Sequence, residues 1–153
     1  LENKMIARSA IIQFPKMPEI HAIPTQMHQL FLNLLNNSLK FTQPDKKPEI
    51  HITWNELNEK QKHEYNLNTQ QEYIYIQLRD NGIGFDPSFA EAIFSPFKRL
   101  HGRSEYEGTG IGLAICKKVV QNHGGAIWAE SEPGNGSVFH IILAKHTTET
   151  KVP

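Results

Sequence analysis

Apolar and polar positions along the chain fall into a few runs with distinct periods. From Pro24 to Lys40, the positions Met27, Phe31, Leu34, Leu35 and Ser38 recur at helical spacing and predict an amphipathic helix over about 25–41. Residues 72–80 are rich in aromatic and β-branched side chains, alternate with polar ones and predict a strand. Leu113 to His123 predicts a second long helix, over 111–123, stopped by Gly124-Gly125. Further strand-like runs lie near 10–14, 18–23, 48–56, 125–131 and 136–144, and a short helix near 88–94. Strands and helices interleave without regular βαβ alternation. The expectation is an α/β fold, a two-layer sandwich in which one mixed sheet is covered on one face by helices.

Within the first helix, Asn33, Asn37 and Lys40 are spaced by four and three residues, so they share one stripe beside the apolar face. By itself such a pair of asparagines reads more readily as exposed surface amides, until the downstream glycines are counted. An Asn carbonyl oxygen is also a hard, neutral ligand for magnesium, which takes few protein ligands and completes its shell with water and phosphate. Asp80 ends the central strand and enters the turn Asn81-Gly82-Ile83-Gly84, whose glycines allow close approach to the backbone. An ionised carboxylate only accepts hydrogen bonds, so it suits the amino group of adenine and not the carbonyl of guanine. A plain Asp-Asn-Gly turn remains the alternative there. Gly108-Thr109-Gly110-Ile111-Gly112 leads straight into the second helix, whose first N–H groups favour phosphate. A tight turn before a helix would explain these glycines as well.

The pattern excludes several nucleotide folds. No Gly-Lys-Ser/Thr follows any glycine run, so there is no P-loop, and Leu113 stands where a Rossmann fingerprint needs its third glycine. The His-Arg-Asp and Asp-Phe-Gly elements of protein kinases are absent too.

In order, the chain holds an asparagine helix (Asn33 to Thr42), Asp80 to Gly84, Phe94-Ser95-Pro96-Phe97, Glu107 to Leu113 and Gly134-Asn135-Gly136. This series resembles the N, first glycine, F and second glycine boxes, and the last glycine turn before the final strand, of the ATP-binding catalytic domain of sensor histidine kinases, in the Bergerat-fold (GHKL) superfamily. The resemblance spans about 10–144. It implies that Asn37 binds Mg2+, that Asn33 assists the metal or the phosphates, that Lys40 contacts phosphate, and that Asp80 holds the adenine amino group. Gly82, Gly84, Gly108, Thr109, Gly110, Ile111, Gly112 and Leu113 would shape the ATP pocket and its phosphate-facing turn. Residues 85–107 would form an ATP lid, with Phe97, Lys98, Arg99, His101 and Arg103 as candidate contacts and Phe94 and Phe97 as anchors. The lid is also similar to those of phytochrome-like and other multi-domain sensor kinases. Hydrolases of the superfamily carry a glutamate one turn before the magnesium asparagine. Here that position is Asn33, which cannot serve as a base, so hydrolysis by water should be slow.

The resemblance further implies a phosphoacceptor histidine on a dimerisation hairpin N-terminal to this domain, a response-regulator receiver domain as partner, and a homodimeric parent. Residues 1–9 would be linker from that hairpin, 10–146 the catalytic domain and 147–153 a tail. The one His-acid pair, His63-Glu64, lies in a polar stretch read as a solvated loop or hairpin tip. Two other readings stay open: a non-catalytic nucleotide-sensing module, and an ATP hydrolase.

Composition narrows the field. A chain of 153 residues is one domain with a sizeable core. Sixteen basic and sixteen acidic side chains cancel, so nothing argues for nucleic acid or an acidic membrane face. Cys116 is the only cysteine and reads as a packed thiol; the eight histidines lack metal-binding spacing. No apolar run has transmembrane length, and neither a signal-peptide pattern nor a starting methionine occurs. These features point to a cytoplasmic piece of a longer protein, itself making no direct membrane contact.

Overall fold

The computed structural model of the protein describes residues 1–96 and 110–146. A five-stranded sheet runs in the order β1 (Ile11–Gln13), β2 (Glu49–Glu56), β3 (Tyr73–Asp80), β5 (Ser137–Ala144), β4 (Ala126–Ser131). β1 is parallel to β2 and every other pairing is antiparallel, so the sheet is mixed. Two long helices, α2 (Pro24–Lys40) and α4 (Gly112–Asn122), pack together over one face. The two-layer sandwich expected from the sequence is present.

Alternation along β3 sends Ile74, Ile76 and Leu78 to the helix side, where they meet Ile50 and Ile52 of β2 and Phe139, Ile141 and Leu143 of β5. Leu30, Leu34 and Leu39 of α2 and Cys116, Val119 and Val120 of α4 close this core. Leu30 and Leu39 are thus deeper than Met27, Phe31 and Leu35, which only partly bury. Cys116 is fully enclosed, its Sγ 3.7 Å from the Leu30 carbonyl, and burial pushes its thiol up to about 12.

Three segments differ from the sequence expectation. The strand-like run at 18–23 forms only one isolated bridge, His21 to His146, because Pro15, Pro18 and Pro24 remove ladder donors around it. Instead of a helix at 88–94 there are two 3-10 turns, Pro87–Phe89 and Ala92–Phe94. The second ends at Ser95, which Pro96 holds extended. The polar stretch around His63-Glu64 is a short helix, α3 (Glu59–Glu64), closed by a capping box in which Asn58 and Gln61 satisfy each other's backbone N–H groups. It carries Tyr65 onto the opposite face of the sheet, with ring centroids 5.3 Å from Trp128 and 6.3 Å from Tyr75. There Leu57, Tyr73, Ile142 and Ala144 form a second, smaller apolar cluster. His63 and Glu64 themselves are exposed. At the N-terminus, residues 2–8 form a short helix, α1 (Glu2–Arg8), whose Arg8 guanidinium donates to Thr42 Oγ1 just past the end of α2.

Candidate nucleotide site

α2 starts at Pro24, where a missing N–H is no loss, and carries Asn33, Asn37 and Lys40 on successive turns, all half-buried. The Asn33 side-chain amide nitrogen is buried and has no hydrogen-bond partner among the described residues. An unpaired buried donor costs about 1–3 kcal/mol, so this nitrogen calls for an acceptor that the described residues do not supply. The same side chain borders the start of α4 through its oxygen: a Cβ on Gly112 would lie 3.9 Å from Asn33 Oδ1 and Cγ. Ile111, the N-cap, gives α4 no side-chain cap, and the preceding Gly110 takes a positive φ of 74° that a side chain would resist. The first turn of α4, with no side-chain cap from Ile111, and the Asn33 side chain therefore border one another. The Asn36 Oδ1 is also buried without a partner among the described residues.

The other end of the site is built on Asp80. Strand pairing sets it opposite Ile50 on one side and Ser137 on the other. Its Oδ1 accepts from the backbone N–H of Gly82 at 2.9 Å and of Ser137 at 3.1 Å, while Oδ2 accepts from the Ser38 hydroxyl at 2.9 Å. Burial raises the Asp80 carboxyl above its ordinary range; the three hydrogen bonds oppose that shift without cancelling it. The chain packs so tightly around this carboxylate that a Cβ at Gly82 would sit 2.5 Å from the Phe41 carbonyl oxygen. One at Gly84 would sit 2.1 Å from the Glu132 carbonyl oxygen. Gln43, three residues beyond α2, clamps the turn: its Nε2 donates to the carbonyls of Asn81, Gly82 and Gly134 at 3.1–3.2 Å.

The two walls are tied at their far ends. His123, fully buried after α4, donates from Nδ1 to the Val119 carbonyl at 2.8 Å and accepts at Nε2 from the Ile23 N–H at 3.0 Å, directly before α2. Asn122 reaches Gln26 on the same helix at 3.2 Å. Both ring nitrogens of His123 are thereby spent on fixing α2 against α4.

Of the residues singled out in the sequence, Asn33, Gly110, Ile111 and Gly112 come together at one end of the site, and Asp80, Gly82 and Gly84 at the other. α2 borders both, since Ser38 of the same helix touches Asp80. Leu113 is half-buried against the core, and Phe94 sits in it, edge-on to Phe139 with centroids 6.3 Å apart. The anchoring role expected of Phe94 is present. Lys40 Nζ lies 4.9 Å from the Phe41 ring centroid. Phe97, Lys98, Arg99, His101, Arg103, Gly108 and Thr109 lie outside the described residues. Sequence reasoning missed Ser38, which the helical period assigns to the apolar face, and also Gln43 and His123. For Ser38 the signal was a hydroxyl among hydrocarbon side chains, which needs a partner when buried.

A mixed sheet under two helices, with a buried amide beside a helix N-terminus and a rigidly held carboxylate at a strand end, defines a nucleotide-binding α/β sandwich. Residues 22–147 match the histidine kinase-, DNA gyrase B-, and HSP90-like ATPase family, and the chain belongs to it. Among its relatives is the phytochrome-like protein Cph1 of Synechocystis sp., 43% identical over 143 residues that make up 94% of this chain and 17% of the relative. The sensor protein kinase WalK of Staphylococcus aureus is 37% identical over 78% of this chain and 26% of its own length. The chain thus spans about a sixth to a quarter of these two relatives. The catalytic domain of the histidine kinase ThkA shares the fold with a TM-score of 0.71 and 26% identity, covering 95% of this chain and 86% of that one. No helix among the described residues is long and apolar enough to cross a membrane.

Proposed function

We propose that this chain is the catalytic domain of a two-component sensor histidine kinase. It would position Mg2+-ATP for transfer of the γ-phosphoryl group to a histidine on a dimerisation hairpin that this sequence does not contain. The observation that carries the reading is the Asn33 side chain, its buried amide nitrogen unpartnered among the described residues, beside a start of α4 that Ile111 does not cap, an arrangement that suits phosphate oxygens. Asp80, with the turn glycines Gly82 and Gly84, is assigned to the adenine amino group. Asn37 is assigned to the metal and Lys40 to phosphate charge. Asn37 suits the ion by its neutral amide oxygen and by its place one turn from Asn33 on the same stripe of α2. A bound magnesium ion supplies charge neutralisation on the phosphates; everything else asked of this chain is grip and alignment, as phosphoryl transfer requires. The lid residues Phe97, Lys98, Arg99 and Arg103 and the turn residues Gly108 and Thr109 belong to the same proposal.

Asn33 also bears on the choice between transfer and hydrolysis. An amide at that position cannot take a proton from water, which favours a protein acceptor over solvent. In a homodimeric, cytoplasmic parent, residues 1–9 would connect to the hairpin, and a response-regulator receiver domain would take the phosphoryl group onward. Mixing the domain with γ-labelled ATP, magnesium and a separately produced histidine hairpin tests the reading, with label on the hairpin as the expected result. Tight ATP binding with no transfer would favour a nucleotide-sensing module. Steady phosphate release abolished by Asn33→Ala would favour a hydrolase.

A further inference from the structure

The carboxylate of Asp80 has about four lone-pair sites. Two, on Oδ1, are taken by the backbone N–H groups of Gly82 and Ser137, donors that any sequence would supply at this turn. A third, on Oδ2, is taken by the hydroxyl of Ser38, which is only 2% exposed and is the one side chain among the described residues seen to donate to Asp80. One acceptor site remains, and it is on Oδ2. We infer that Ser38 is a specificity-determining positioning residue, which selects by its hydrogen bond the carboxylate orientation that leaves a single acceptor for the 6-amino group of a purine. This rests on the proposed role of Asp80.

Without the hydroxyl, the Oδ1 bonds still anchor the group but act as a hinge. Oδ2 then presents two open sites, and the carboxylate can rock about its Cβ–Cγ bond. The same bond helps keep the group an acceptor, since burial raises the Asp80 carboxyl and Ser38 is one of three donors opposing that. A carboxyl that gains a proton could donate, and the advantage of an amino over a non-amino purine would fall. Ser38 has no metal or phosphate to contact in this account; it works through Asp80 alone.

The test compares binding of Mg2+-ATP with that of purine riboside triphosphate, which carries hydrogen in place of the 6-amino group, by calorimetry on the domain and on its Ser38→Ala variant. Wild type should prefer ATP by roughly tenfold or more, the size of one charge-assisted hydrogen bond. Ser38→Ala should reduce that preference by roughly three- to tenfold while leaving affinity for the non-amino analogue unchanged. In an Asp80→Asn background, Ser38→Ala should alter the preference no further. Because each variant is its own control, a general loss of structure would weaken both nucleotides alike. Equal weakening, or an unchanged preference, overturns the inference. A wild-type protein with no preference would instead overturn the assignment of Asp80.

Discussion

Asp80→Asn removes one charge and keeps the shape. The amide Oδ1 can go on accepting from Gly82 and Ser137, and the new Nδ2 can donate to Ser38 once its hydroxyl turns round, so the three contacts of the free protein survive. On the ligand side, the amide nitrogen now points N–H groups at the adenine amino group, donor against donor. A lost acceptor in a partly buried site costs about 1–3 kcal/mol, or a rise in Kd of roughly 5- to 150-fold. Stability should move the other way. Burial raises the native Asp80 carboxyl above its unfolded value of 3.8, so the native state holds the proton more tightly than the unfolded chain. The ionised group therefore costs stability as pH rises above that value, and the neutral amide escapes the cost. Calorimetric titration with Mg2+-ATP, paired with urea unfolding of the free domain at neutral pH and again below pH 3.8, reads both effects. Weaker binding with an equal or higher neutral-pH midpoint is expected, the advantage disappearing at the acid end. Unchanged affinity would refute the adenine assignment. A free variant clearly less stable than wild type would refute the view that Asp80 is held for a ligand at a cost to the fold.

Asn37→Ala should weaken nucleotide binding more in the presence of magnesium than with excess chelator, and equal losses in the two titrations would remove Asn37 from the metal. Gly84→Ala combines a φ of +68° with a Cβ only 2.1 Å from the Glu132 carbonyl oxygen, so it should cost about 2–4 kcal/mol by urea denaturation. A midpoint within error of wild type would contradict the packing described around Asp80. His140 is buried on the outer face between Tyr75, whose hydroxyl it meets at Nδ1, and Glu130, 3.3 Å from Nε2. Burial holds its imidazole below the ordinary 6.5, with Arg79 adding to the shift and Glu130 opposing it. The unfolded chain therefore takes up this proton first as pH falls. Stability from neutral His140 is complete above 6.5 and is lost below it, and His140→Gln should flatten that part of the stability profile.

The motifs legible in the sequence are those whose chemistry lies within one stretch of chain. A helix places Asn33, Asn37 and Lys40 by its own period, and a strand followed by glycines places Asp80 at a turn, whatever the rest of the molecule does. Cys116 and Phe94 were legible as core residues for the same local reason. Order along the chain then sufficed to set these pieces in a family. Other features depended on which surfaces meet. The run at 18–23 has strand-like residues, but Pro18 within it and Pro15 and Pro24 beside it interrupt a ladder, and its Ile23 N–H goes to His123; α3 forms where Tyr65 can settle against Trp128 and Tyr75. Ser38 belongs by period to the greasy side of α2. Only the packing of that helix across the end of β3 brings its hydroxyl to a carboxylate 42 residues away. In the same way Gln43 reaches carbonyls from two turns, and His123 finds the backbone of Ile23 across 100 residues of chain. Local sequence thus determined which groups exist and on which element they ride, because helix and strand periods are fixed by backbone geometry. Tertiary structure alone decided which lone pairs stay open, because hydrogen bonds act over about 3 Å and only packing brings distant residues that close.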